Sequence, residues 1–259
     1  MIKRILCLKL PTSKNHILLS DEETHHATHV LRLRDGDLVE AMDGNGNSSR
    51  VVLRTREGPV RVEWDELGTD FKKTSSKPDS QTSIIILEMA ILKGPAMEWV
   101  IEKSVELGVA RVIPVVTERT VVQIRKKGPE LFRERWQKIA NQALKQCGRL
   151  NSMVIEDPVE LTDLVQEEKM KSARFWCDAE DLQNTPFILS LLKSPSMSEV
   201  QEFRILIGPE GGWGHSDRQA LSRASKTHRV HLCENTLRAE TAAIFSVSSL
   251  IALKTYLSI

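Results

Sequence analysis

From residue 83 onward the chain alternates short apolar runs with amphipathic stretches of helical period, and that alternation leaves few architectures open. Strand-like runs at 84–89, 111–116, 173–177, 203–208 and 229–232 are interleaved with helix-like segments at 97–107, 129–146, 162–168, 217–224 and 240–256. Short strands joined by helical crossovers belong to a parallel sheet buried on both faces, because parallel neighbours cannot be linked by a tight turn and each crossover helix covers a face. Gly108 and Gly148 follow two of the helical stretches, where a glycine commonly ends a helix. Residues 84–259 are therefore expected to form an α/β domain.

Residues 1–72 follow a different rule. The run 38–42, the cluster Asp43-Gly44-Asn45-Gly46-Asn47 and the run 50–53 spell a β-hairpin. Ser20 with Glu23 three residues on has the capping-box spacing for a helix over 20–30. Arg32 and Arg34 alternate with Leu31 and Leu33, which on a strand puts both guanidinium groups on one face. This part is expected to be a small β-barrel or sandwich. The polar, aperiodic FKKTSSKPDSQTS at 71–83 marks a linker at 73–83.

Composition excludes several classes. With 41% apolar and 27% charged residues the chain is of ordinary globular type. No apolar run nears the roughly 20 residues of a membrane-spanning helix, and MIKRILCLKLPTSK scatters Lys3, Arg4, Lys9 and Lys14 through its apolar positions, unlike a secretory signal. Cys7, Cys147, Cys177 and Cys233 form no C-x-x-C pair, so neither a zinc ribbon nor a disulfide framework is expected, and a reducing cytoplasm suits them. The net charge of +1 conceals a basic stretch, 111–149, with ten basic residues against three acidic. It suits either a polyanion or a solvated helix face. His25 and His29 lie one helical turn apart, but without an H-E-x-x-H pattern no metal is expected. Trp99 and Trp136 fit core or interface positions, and Lys103 with Glu106 fits a surface pair.

Two segments carry chemistry. In Arg204-Ile205-Leu206-Ile207-Gly208-Pro209-Glu210-Gly211-Gly212-Trp213 a buried strand runs into a glycine-rich turn, at the end of the sheet where open α/β folds place ligands. The turn is neither a Walker A loop nor G-x-G-x-x-G, which disfavours ATPases and dinucleotide oxidoreductases. In Leu232-Cys233-Glu234-Asn235-Thr236-Leu237-Arg238-Ala239-Glu240-Thr241 a second strand passes through a polar loop into a helix.

LIGPEGGW at 206–213 paired with LRAETAAI at 237–244 resembles the SPOUT-class RNA methyltransferases, and specifically the RsmE family. Further matching stretches are HHATHVLRLRDGDLVEAMDGNG at 25–46, KGPAMEWVIEKSVELGVARVIPVVTERTVV at 93–122 and RWQKIANQALKQCGRL at 135–150. The resemblance implies a PUA-like barrel over 1–72, a trefoil-knotted methyltransferase domain over 84–259, S-adenosylmethionine as cofactor, and methylation of a uracil N3 in 16S ribosomal RNA of the small subunit by a cytoplasmic homodimer. It implies cofactor contacts from Leu206, Ile207, Gly208, Pro209, Gly211, Gly212, Leu232, Cys233, Asn235, Thr236, Leu237 and Thr241. Arg238, Glu210 and Glu240 become the catalytic candidates, and Arg32, Arg34, Arg119, Arg125 and Arg149 the RNA contacts. The chain departs from the family pattern at Cys233 (commonly Gly) and Asn235 (commonly Arg), and at Pro95 and Ala96, where an acid and a base are common. The alternative is a SPOUT-fold RNA-binding or ribosome-assembly factor without turnover. A ribose 2′-hydroxyl methyltransferase fits LRAETA less well.

Overall fold

The computed structural model describes residues 3–56, 58–65, 72–73, 83–167, 170–194, 197 and 199–257. The chain divides into two compact units, Met1–Asp79 with Asn141–Ser152, and Ser80–Ala140 with Met153–Ile259. Apart from Lys73 and Ser83, the expected linker lies outside the described residues.

The first unit is a six-stranded sheet of β1 (Arg4–Leu6), β2 (Ile17–Leu18), β3 (Leu38–Met42), β4 (Asn47–Arg54), β5 (Arg61–Trp64) and β6 (Lys72–Lys73). The order is β1-β3-β4-β5-β2, with β6 beside β4. Among the described residues of this unit, β1–β3 is parallel and the other pairs are antiparallel. The expected hairpin is β3–β4, in register from Leu38↔Val52 to Met42↔Ser48. The Asp43 carboxylate accepts from the Asn45 and Asn47 amides at 2.7 and 3.0 Å, and Gly44 and Gly46 take φ of 72° and 92°, left-handed values that suit glycine in a tight turn. Ile5, Val39, Ala41, Val51, Leu53 and Val62 fill the interior.

Two local expectations are corrected. Helix α1 (Asp21–His25) begins as read, Ser20 Oγ accepting from the Glu23 amide at 3.3 Å, but Glu23 does not turn back to complete the capping box. Its carboxylate goes inward, accepting from the Leu6 amide at 3.0 Å and from Lys145 Nζ. Removing one partner of a buried pair like Glu23–Lys145 costs about 3–5 kcal/mol. The helix then widens into a π-turn over His26–Val30. Residues 31–34 form a loop and not a strand, because Leu33 N donates back to Ala27 O at 2.9 Å and Asp37 takes the Arg34 amide at 2.8 Å. The alternation survives as burial alone, with Leu33 inside and Arg32 and Arg34 exposed. Residues 141–152 complete this unit: Gly46 N donates to Leu150 O at 3.1 Å and Ser152 N to Gly44 O at 2.8 Å.

The second unit holds the parallel sheet that the alternation implied. Strands β7 (Ile84–Ala90), β8 (Arg111–Val116), β9 (Val154–Ile155), β10 (Val159–Glu160), β11 (Ser172–Cys177), β12 (Glu202–Ile207) and β13 (Thr227–Val230) run β10-β8-β7-β12-β11-β13, with β9 also on β8 and every pair parallel. The helices are α2 (Pro95–Glu106), α3 (Ile124–Lys127), α4 (Pro129–Cys147), α5 (Leu161–Leu164), α6 (Ile188–Leu192), α7 (His215–Arg223) and α8 (Ala239–Leu257). From Asn141 on, α4 belongs to the first unit. The strands are less apolar than their sequences suggest. Fully buried Glu88 on β7 accepts from Arg174 on β11 at 2.6 Å and Arg204 on β12 at 2.8 Å. Arg174 and Arg204 are register partners, so the charges share one face, and Glu202, 2.6 Å from Arg204 Nε, supplies the second negative charge. Among the described residues no helix is long and apolar enough to cross a membrane.

Candidate active site

The neighbouring strands β12, β11 and β13 end at Ile207, Cys177 and Val230, and the chain leaving each of them bounds a cavity of about 760 Å³. Carboxyl ends of parallel strands are where such sheets leave room for ligands, and the volume lies within the roughly 300–1,000 Å³ of small-molecule sites. The wall is made by residues 177–180 and 182, 207–213, 231–233 and 235–238, the start of α8, and Ala96 of α2.

The turn after β12 is shaped from behind. Trp213 is buried at 2% exposure, with its indole Nε1 donating to Cys177 O at 2.9 Å. A Cβ on Gly208 would sit 2.9 Å from the Trp213 ring, so only glycine lets the main chain pass there. Gly212 N donates to Pro209 O at 2.9 Å with φ of 70°, closing the turn. The loop after β8 clamps the same segment. Arg119 Nη1 donates to Gly211 O at 2.7 Å, Glu118 Oε2 accepts from the Ser216 amide at 2.9 Å and from the Ser216 hydroxyl, and Glu118 N donates to Asp217 at 3.2 Å. The Ser216 hydroxyl and amide hold the Glu118 carboxyl below its usual range.

Charge is distributed unevenly around the cavity. On one wall Asp178 accepts from Arg218 at 3.2 Å and Arg229 at 2.7 Å, and Arg218 also meets Glu180 at 2.7 Å. Across the loops, exposed Glu210 accepts from the Lys93 amide at 3.2 Å. The side chains of Arg238 and Glu240 have no hydrogen bond or ion pair among the described residues, and both line the cavity. The Pro95 and Ala96 departure leaves the Lys93 contact intact, since it uses main chain, and Pro95 opens α2 where a missing amide costs nothing. Cys233 also fits: its backbone is not in the left-handed region, and its thiol donates to Asn235 O at 3.0 Å. Burial pushes the Cys177 thiol up to about 12, so it stays protonated.

Of the expected cofactor residues, Ile207, Gly208, Pro209, Gly211, Gly212, Leu232, Cys233, Asn235, Thr236 and Leu237 line this cavity, as do Arg238, Glu210 and Glu240. Leu206 and Thr241 do not. Strand alternation turns Leu206 to the other face, into a cluster with Trp176 and Trp213, and helix phase turns Thr241 to solvent. The sequence reading missed Asp178, Glu180, Leu182, Trp213, Arg218 and His231. The available signal was that 173–177 is a parallel strand too, so its exit loop reaches the same end of the sheet. Of the RNA candidates, Arg32 and Arg34 are exposed, Arg149 is half-buried, Arg119 lies on the glycine turn, and the Arg125 side chain lies outside the described residues. Trp136 is buried and Trp99 is 43% exposed. Lys103 pairs with Glu102 and Glu106, both at 2.8 Å.

An RNA methyltransferase domain model matches residues 79–251, which include every residue lining the cavity. The chain belongs to this RNA methyltransferase family. An RNA methyltransferase PUA domain matches residues 19–48, from the capped helix into β4. This methyltransferase is 26% identical over 231 residues to Ribosomal RNA small subunit methyltransferase E of Rickettsia conorii, covering 89% of this chain and 87% of that one. With the Bacillus subtilis protein of the same name it shares 25% over 233 residues, covering 90% and 88%. A Legionella pneumophila protein solved in complex with the bound cofactor SAM superposes with TM-score 0.82 at 27% identity, covering 98% of each chain.

Proposed function

We propose that this methyltransferase transfers a methyl group from S-adenosylmethionine (SAM) to N3 of a uracil in 16S ribosomal RNA, within the assembled small subunit in the cytoplasm. The observation that carries the reading is Arg238, an unpaired guanidinium at a cofactor-sized cavity that it shares with Glu210 and Glu240. The names of the relatives supply the substrate class.

The residues present suit the cofactor, since glycine turns expose main chain to it while Ile207, Leu232 and Leu237 give apolar walls. When bound, SAM supplies a methyl carbon activated by a positively charged sulfur. The remaining work falls to side chains. Uracil N3 carries a proton that must leave as N3 attacks, and Glu210 or Glu240 accepts it. The negative charge then spreads over the uracil carbonyl oxygens, where Arg238 meets it. One proton passes to a carboxylate, and as the N3–CH3 bond forms the S–CH3 bond of bound SAM would break, its electron pair returning to sulfur to leave the neutral thioether S-adenosylhomocysteine. Arg32 and Arg34 would take phosphates on the first unit, with Arg119, Arg125 and Arg149 as further phosphate contacts.

The working form is a homodimer in this reading. Helix α8 is apolar along most of its length, yet Phe245 and Tyr256 are 38% and 82% exposed, as is part of Trp99 on α2. An apolar helix with an open face calls for a covering partner.

The deciding experiment incubates the purified protein and SAM with small subunits lacking the modification and analyses the RNA nucleosides by mass spectrometry. The expected product is 3-methyluridine, and Arg238→Ala should slow its formation on the order of a hundredfold with SAM affinity unchanged. SAM binding without 3-methyluridine would overturn the substrate, and failure to bind SAM would leave an RNA-binding factor without turnover.

A further inference from the structure

Four arginines of the first unit have an acidic partner: Arg4 pairs with Glu40, Arg50 with Asp65, and Arg54 and Arg61 with Glu63. Arg32 and Arg34 do not. Both are exposed, and the acids beside them are engaged by main chain, Asp35 accepting from the Thr55 and Arg56 amides at 2.8 and 3.3 Å and Asp37 from the Arg34 amide at 2.8 Å. Neither guanidinium has a partner among the described residues. Arg32 also holds a φ of 51°, which a side-chain-bearing residue keeps only where the surroundings impose it.

Directly before them in the chain, on α1 and the π-turn, stand His25 and His29. Both are exposed, and their rings stack at 4.6 Å between centroids with 15° between planes. Thr28 Oγ1 lies 2.9 Å from His29 Nδ1 and fixes the ring's rotation. Val30, 60% exposed, extends the apolar edge. Two parallel rings already in place, followed within a few residues by two free guanidinium groups, combine the elements that grip a single strand, a flat face for a base and cations for its phosphates. A duplex hides its base faces, so such a patch takes looped or unpaired RNA.

We infer that the His25–His29 pair is a stacking platform for an unpaired base of the RNA substrate, with Arg32 and Arg34 on the phosphates that flank it. The inference rests on the RNA-methylation reading above and adds where and how the first unit holds its substrate.

The test measures binding of the full chain to a fluorescein-labelled single-stranded RNA and to a blunt duplex of the same sequence, by anisotropy at two salt concentrations. His25→Ala with His29→Ala should weaken single-strand binding on the order of tenfold and leave duplex binding and salt dependence unchanged. His29→Phe, which keeps a flat face, should bind the single strand as the wild type does. Arg32→Ala with Arg34→Ala should weaken both RNAs and flatten the salt dependence. Unchanged single-strand binding in the double-alanine variant, an equal loss for both RNAs, or a loss with His29→Phe would overturn the platform. Methylation of small subunits by the wild type, run in parallel, separates the two readings. If 3-methyluridine forms while the ring variant binds normally, the platform alone falls. If none forms while the ring variant loses the single strand, the methylation reading alone falls.

Discussion

Gly208 shows how much of the site is decided by one missing side chain. The indole that fills the space behind it is buried and hydrogen-bonded to Cys177 O, so it cannot yield cheaply to a methyl group. Gly208→Ala should lower stability by about 1–3 kcal/mol through overpacking and weaken SAM binding, because displacing Trp213 displaces the turn. Thermal unfolding and isothermal titration check both effects, and unchanged SAM affinity would show that the indole does not fix the turn. The GPEGG motif was legible in the sequence, but the reason for its first glycine was not. That reason lies in a side chain five positions on and in the carbonyl of a strand 31 residues earlier. Cys233 is the converse: a departure from the family pattern at a glycine position proves compatible with an ordinary backbone.

At the level of elements, the alternation of apolar runs and helical stretches located the long strands and helices of the parallel sheet, because burial on both faces forces that pattern. The shortest strands escaped it. β9 and β10 have two residues each, too few to express a period, whereas the helix expected at 162–168 is present as the short α5, Leu161–Leu164. At 31–34 the period was real but belonged to a loop whose hydrogen bonds close a helix, so burial alternates there without a ladder. The loop after β11 lacked any motif, and its part in the cavity follows only from strand order. Helix α8 carries its own prediction. Phe245→Asp puts a charge on its open apolar face and should leave the isolated chain folded while shifting a dimer to monomers, as light scattering would register. A monomeric wild type would overturn the pairing.

The molecule as a whole should be sensitive to mild acid. Burial holds the imidazoles of His26 in the first unit and His228 in the second below their ordinary value, with Lys145 adding to the effect at His26. Folding therefore favours the neutral rings, and the unfolded chain takes up protons first as pH drops. The stability they contribute is present above about pH 6.5 and is lost as pH falls through the folded values. Calorimetry from about pH 7 to about pH 5 should show a falling unfolding temperature. His228→Phe, which keeps a ring against Phe175, should flatten that slope, and an unaltered slope would remove His228 from the account. The stretch 141–152 has a further consequence. It completes the first unit, yet it is encoded after β7, α2 and β8 of the second. A ribosome that has reached residue 79 has made Glu23 but not the lysine that neutralises it, so the first unit waits for much of the second to be synthesised. Nor can the first unit be exchanged by one crossover between genes. Any single break either strands residues 141–152 with a foreign neighbour or carries half the methyltransferase sheet along, and the two parts are inherited as a pair.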